Sequence, residues 1–327
     1  MNAPPLLAHD LDSIAAVTAA LASVGYISTD AISTTVYLAH QLRKPLLIEG
    51  PAGVGKTDLA QSLARALEFP LLRMQCYEGL DETKALYEWK YGKQLLYTQV
   101  LKEKIHDLIE DADTLDASLV KLSGFQDIFF SREFLEPRPV LRALEQESGS
   151  VLLIDEIDKA NEEFEALLLD ILSDYQVTIP EIGTISAQVP PLVILTSNNT
   201  RELSDALKRR CLHLHIDFPD AARECAIVRA RVPDISEILL KQLVAFIQSV
   251  RDERIRKLPS ISETVDWART LLLLHADALT PEMVTATLGV FLKRQGDIAE
   301  VSGNAGSLTR AAIADAADPH AAARRRG

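Results

Sequence analysis

Cysteine is scarce in this chain. Cys76, Cys211 and Cys225 are the only three, and they show neither CxxC spacing nor a matching histidine pattern. A disulfide framework and a structural zinc site are therefore both unsupported, and neutral thiols in the core are expected. His213 and His215, alternating along LHLHI, share one face of a predicted strand; two lone histidines make a poor metal site, so a structural role is expected. Long apolar runs are missing too. Nowhere do about 18 apolar residues follow one another, and the N-terminus lacks the basic-then-apolar layout of a signal peptide. A cytoplasmic protein with no membrane span is expected. Basic charge is also in deficit. A formal net charge of −13 disfavours a general electrostatic grip on a phosphate backbone, so no nucleic-acid partner is expected.

The bulk composition, 47% hydrophobic and 25% charged, is that of a folded soluble protein and excludes a disordered or collagen-like chain. At 327 residues the chain exceeds the size at which a single core usually stops growing, so one large and one small domain are expected. Apolar positions at helical spacing predict helices over 10–24 and 30–42. PLLIEG (45–50), LLRMQC (71–76), VLLID (151–155) and LVILTS (192–197) are short apolar runs that predict buried strands, with helical stretches between them. Strands alternating with helices predict an α/β fold whose parallel sheet is covered on both faces.

On this reading residues 1–219 form the α/β domain, interrupted by an insertion over about 79–136 that carries the acidic run DLIEDADTLD. Residues 220–300 form a small all-helical lid. One of its helices is announced by Thr280, Pro281 and Glu282, an N-cap candidate followed by proline in the first turn. Residues 301–327, rich in alanine and ending in Arg324, Arg325 and Arg326, predict a weakly structured tail.

The chemistry is concentrated at three strand ends. Gly50, Pro51, Ala52, Gly53, Val54, Gly55, Lys56 and Thr57 fit G-x-x-x-x-G-K-[ST] between a predicted strand and a predicted helix. Glycines there free backbone N–H groups to face phosphate oxygens, and the positive end of the following helix faces the same anion. Lys56 is expected to bridge the β- and γ-phosphates of ATP, and the Thr57 hydroxyl to ligate Mg²⁺. VLLIDEID sets Asp155 and Glu156 at the carboxyl end of a buried strand, the edge where open α/β sheets bind ligands. Asp155 is expected to hold the Mg²⁺ shell and Glu156 to orient or deprotonate the attacking water; a capped helix start is the structural alternative. Asn198 and Asn199 follow the LVILTS strand, where an amide can meet the γ-phosphate or the water, or make an ordinary turn. Lys208, Arg209 and Arg210 form a basic cluster before a further strand in HLHIDF. It reads either as a solvated turn or as guanidinium charge offered to a neighbouring subunit's phosphates.

This ordered set resembles an AAA+ ATPase over roughly residues 30–295. More narrowly it resembles the MoxR family, whose hairpin and T-x-N strand are matched by Gln176–Ile179, Gly183, Pro190–Pro191 and Thr196–Asn198. The resemblance implies a P-loop α/β domain with a helical lid, ATP and Mg²⁺ as cofactors, and a ring, most simply a homo-hexamer. It implies that Asn198, with Asn199 as second choice, is the sensor-1 asparagine, and that Arg210, with Arg209 as second choice, is the finger reaching the next subunit's nucleotide. It further implies a client protein, with a metal-binding adaptor such as a von Willebrand factor A domain protein as a further partner. Gly79–Leu96 and FLEPRPVLRAL are similar to the CoxD-like branch, associated with maturation of molybdenum-containing carbon monoxide dehydrogenase. The S-x-R arginine of MoxR-like lids has no counterpart, since Ser262-Glu263-Thr264 stands at the comparable position. Arg254, Arg256 and Lys257 are the nearby substitutes. Two rivals remain: an ATP-switched binding module with little hydrolysis, and a nucleic-acid-dependent motor.

Overall fold

A computed structural model of the chain describes residues 11–80, 82–100 and 129–317. Five strands form one parallel sheet: β1 (Leu46–Glu49), β2 (Leu71–Gln75), β5 (Val151–Asp155), β8 (Leu192–Ser197) and β9 (Leu212–His215), in the order β2-β5-β8-β1-β9. Between them the chain makes two antiparallel ribbons, β3 (Tyr87–Trp89) with β4 (Leu135–Pro137) and β6 (Gln176–Ile179) with β7 (Gly183–Ser186). The α/β reading therefore holds, strand by strand.

β5 and β8 are buried along their whole length, which is why they read as unbroken apolar runs rather than alternating ones. One face of the sheet packs Leu46, Ile48, Leu153 and Ile194 against the helices Ile14–Ser23, Asp30–Leu42 and Lys56–Ala66. The other packs Leu47, Ile154 and Leu195 against the helix Glu162–Asp174, through Phe164 and Leu168. Every catalytic candidate on β5 and β8 thus projects from the same carboxyl edge that β1 reaches at Gly50.

The described part of the insertion has its own small architecture. The ribbon β3–β4 holds Tyr87 and Trp89 half-buried against the main core, while the helix Tyr91–Val100 buries none of its residues. Tyr77, Tyr91 and Tyr97 are exposed, so the aromatics of this region divide between packing and surface. The acidic run 107–116 lies outside the described residues. Cys76 and Cys211 are buried, and burial pushes both thiols up to about 12. Cys225 is only half-buried. His213 Nε2 lies 2.7 Å from Glu49 Oε2 on the exposed edge strand, and among the described residues no cluster of three or more histidine, cysteine, aspartate or glutamate side chains is arranged to hold a metal.

From Ala221 the chain is helical. Helices Ala221–Arg231, Glu237–Arg251, Ile261–Leu273 and Pro281–Phe291 surround a core in which the Trp267 ring packs tilted against Phe291, 4.5 Å between centroids, and donates from Nε1 to Thr287 Oγ1 at 2.8 Å. Thr280 caps the Pro281 helix as its sequence announces. Glu224, fully buried, takes both ends of the Arg251 guanidinium at 2.7 Å, and Arg251 in turn lies over the Phe218 ring in the connection from the sheet. The expectation of a weakly structured tail from 301 is corrected over its described part. Residues Gln295–Ala317 form a helix of 23 residues, because Val301, Ala305, Thr309 and Ala312 recur at helical spacing and are buried against the lid core. Ala305 and Ala312 are small core residues there, not linker. Among the described residues no helix is long and apolar enough to cross a membrane.

Candidate nucleotide site

The loop Gly50–Gly55 turns sharply off β1 because three of its glycines occupy positive φ: 148° at Gly50, 79° at Gly53 and 97° at Gly55. Two of them are also needed for space. A Cβ on Gly50 would lie 1.9 Å from the Ile216 carbonyl oxygen, and one on Gly53 would lie 2.2 Å from Ser260 Cβ of the lid. Val54 is buried and anchors the loop to the core. Lys56 then opens the following helix, and its ammonium donates to the Gly50 and Pro51 carbonyls, both at 2.7 Å, and to Asn198 Oδ1 at 2.8 Å. Burial lowers the Lys56 pKa although Asp158, Asp155 and Glu156 all act to raise it.

Asp155, nearly buried at the end of β5, is held on all sides. Its Oδ1 accepts from Thr57 Oγ1 at 3.1 Å and from Thr196 Oγ1 at 2.5 Å, and its Oδ2 accepts from Arg73 at 2.6 Å. Glu156 follows in the left-handed region at φ 57°, a conformation uncommon outside glycine and one that favours a functional reading over a routine helix start. Its backbone N–H donates to Thr196 Oγ1, and its carboxylate accepts from Gln75 Nε2 at 2.7 Å, from Asn198 Nδ2 at 3.2 Å and from Lys159. Asn198 thus touches Lys56 with its oxygen and Glu156 with its nitrogen. Asp158 fixes the strand tip behind it by accepting from Asn198 N and from Thr200. Burial raises the Asp158 carboxyl, but those hydrogen bonds outweigh it and hold the group below the usual range.

These groups line a cleft of roughly 830 Å³ between the sheet edge and the lid. Ala52, Gly53, Gly55, Lys56, Thr57, Asp155, Glu156 and Asn198 all face it. Asn199 does not; it sits at φ 56° with its side chain turned back to Ser197. Arg209 and Arg210 are also absent from the cleft. They end the short helix Asp205–Arg210, where Arg210 donates to Ser173.

The lid arginines differ from expectation. Arg254 and Arg256 line a separate cleft, and Lys257 faces Glu263. Arg231 and Arg269 reach the nucleotide cleft instead, Arg231 through an ion pair with Asp58 at 2.7 Å. The physical reason lies in the helix Ile261–Leu273: its first turn is clasped to the phosphate loop, with Ile261 N donating to the Gly53 carbonyl at 3.1 Å, so the preceding loop is carried away from the cleft and a residue two turns on, Arg269, overlooks it. Arg73, Gln75, Arg231 and Arg269 were not singled out by motif. Only the first two left a signal, as polar residues alternating in the otherwise apolar run LLRMQC.

Comparison with known proteins agrees with this geometry. Residues 45–211 match the model of the AAA domain, dynein-related subfamily. The chain is also similar to an uncharacterized protein of Staphylococcus epidermidis (strain ATCC 12228), 28% identical over 71% of this chain and 77% of that one. It is 27% identical to an uncharacterized protein of Staphylococcus aureus (strain USA300), over 71% of this chain and 76% of the relative.

Proposed function

The chain belongs to the AAA domain family, in its dynein-related subfamily, and on that premise we propose that it is a magnesium-dependent ATPase that assembles as a ring and remodels a client protein. Nucleotide-dependent ATPase activity is what the family supports. The single observation that carries the catalytic reading is Asn198, bonded at once to Lys56 and Glu156: one amide ties the phosphate-facing cation to the carboxylate that would meet the water.

In this reading the N–H groups of the loop and the Lys56 ammonium bind the β- and γ-phosphates. Thr57 and Asp155 fit a magnesium ion, because a hydroxyl and a carboxylate oxygen 3.1 Å apart form a hard-oxygen pair of the kind magnesium takes; these two residues would hold the ion, which would neutralise phosphate charge. Glu156 orients water and accepts its proton, while Asn198 and Gln75 hold its carboxylate in line. Arg231 and Arg269 bring lid charge to the same cleft. Arg210 and Arg209, turned away from their own cleft, suit a neighbour's, which supports a ring with a homo-hexamer as its simplest form.

The helix Tyr91–Val100, which exposes Leu95, Leu96 and Val100, and the β6–β7 ribbon support client contact, since such segments on a rigid scaffold carry function. A metal-cofactor enzyme such as a molybdenum-containing carbon monoxide dehydrogenase as client, with a von Willebrand factor A domain adaptor, rests on the CoxD-like resemblance alone. The decisive experiment is phosphate release with and without Mg²⁺ for the wild type and Glu156→Gln. Turnover that needs Mg²⁺ and falls at least a hundredfold in the variant, with ATP still bound, is expected from loss of a general base. Equal single-cycle rates in the two proteins would overturn the assignment.

A further inference from the structure

Three arginines outside the nucleotide cleft gather in a second one. Arg254, Arg256 and Arg294 line one cleft of roughly 660 Å³, where the loop 252–259 meets the first turn of the helix Gln295–Ala317. That cleft shares no residue with the nucleotide cleft. All three side chains are exposed, and among the described residues none makes an ion pair or side-chain hydrogen bond. Acidic residues outnumber basic ones in this chain by 47 to 34, and other guanidiniums have found partners: Arg73 on Asp155, Arg201 on Glu165, Arg251 on Glu224. Three unpaired guanidiniums in one cleft of an acidic molecule are therefore a concentration of charge that the fold itself leaves unsatisfied.

The cleft is also shaped to keep them so. Its buried acid, Asp297, spends both carboxylate oxygens on backbone, accepting from Arg256 N at 3.0 Å and from Lys257 N at 3.2 Å. It pins the loop and makes no ion pair with the side chains the loop presents. Lys257 is drawn aside to Glu263. The acid left facing the cleft is Glu300, exposed and about one turn along the helix from Asp297.

We propose that this arginine cleft on the lid is a docking site for an acidic peptide segment of a partner protein. Planar guanidiniums match carboxylates in bidentate geometry, and the cleft is wide enough for several side chains rather than one small anion. A nucleic acid fits less well: its unbroken phosphate chain would run past Glu300 and against the −13 charge of the molecule, whereas a peptide sets its carboxylates one at a time.

The test uses the full chain and fluorescence anisotropy of a labelled peptide of alternating glutamate and alanine. A glutamine–alanine peptide, a single-stranded DNA oligonucleotide and inorganic phosphate serve as the other probes. The acidic peptide should bind, weaken with added salt, and lose at least about tenfold in affinity in the triple variant Arg254→Gln, Arg256→Gln, Arg294→Gln, as three exposed charge pairs together would give. Fluorescent ATP analogue binding and the thermal midpoint should be unchanged in that variant, which separates this site from the nucleotide cleft. If the triple variant proves unstable, Arg294→Gln alone should still weaken the peptide. Unaltered peptide binding in the variants, equal binding of the uncharged peptide, preferential binding of the DNA, or displacement of the peptide by phosphate at comparable concentration would each overturn the proposal.

Discussion

Lys56, Asn198 and Glu156 form a chain of contacts in which each group has more than one partner, so single substitutions there should separate binding from turnover. Lys56→Ala removes the ammonium that the Gly50 and Pro51 carbonyls hold in place. Loss of one charge-assisted contact to phosphate costs about 2–3 kcal/mol, roughly 30- to 150-fold in Kd, and calorimetric titration with ATP should show it. Gln75 is different, since it lines the cleft with its amide N–H given to the Glu156 carboxylate and its amide oxygen to Arg73. Gln75→Ala should leave ATP affinity within about twofold while kcat falls about tenfold, the expected price of a misoriented base. A drop in affinity with kcat unchanged would show that Gln75 contacts the nucleotide rather than positioning Glu156. The phosphate loop was legible at this scale because a strained backbone needs glycine at fixed spacing. Gln75 and Arg269 were not, because their roles depend on which strand lies beside β5 and on how the lid folds back, and neither is written in local sequence.

At the scale of elements, the five sheet strands could be read from composition because burial on both faces leaves an apolar run without alternation. The short ribbon β3–β4 was hidden, its strands being three residues each and set far apart in the chain. The last helix was misread for a related reason. Glycine and alanine lower the apparent hydrophobicity of Gln295–Ala317, yet Ala305 and Ala312 are buried where the helix packs closely on its neighbour Glu237–Arg251. Removing residues 301–327 should therefore destabilise the lid, whereas removal of a loose tail would not. Exposing the Val301 contact and the alanine face should cost about 2–4 kcal/mol, seen as a lowered midpoint in thermal unfolding. An unchanged midpoint would mean that the helix contributes nothing to the lid core. A second element-scale device is the clasp between lid and phosphate loop. Gly53→Ala would drive a Cβ into Ser260 and force a residue other than glycine to φ 79°, so it should weaken ATP binding although the alanine adds no charge and removes no ligand.

For the whole molecule the question is whether one chain contains a complete site. The cleft holds the phosphate loop, the acidic pair and Asn198, but Arg209 and Arg210 lie outside it at the end of their own helix. If Arg210 serves the next subunit's nucleotide, it supplies roughly 10³ to 10⁵ in rate, as arginines that complete phosphoryl-transfer sites do. Arg210→Ala should then bind ATP like the wild type yet lose nearly all turnover. Lys56→Ala should be inactive for the opposite reason, keeping its arginine but losing its phosphate site. Mixed together, the two proteins should recover a fraction of wild-type activity, since an Arg210→Ala subunit with an intact phosphate site can sit beside a Lys56→Ala subunit that lends it the missing guanidinium. The recovered rate should rise and fall with the mixing ratio and vanish on dilution below the assembly concentration. Co-assembly of the two variants is checked by sedimentation velocity with ATP and Mg²⁺, following a fluorescent label carried by one of them. Co-assembly with no recovery would reject action across the interface, and normal turnover by Arg210→Ala alongside a dead Arg209→Ala would move the role one residue toward the N-terminus.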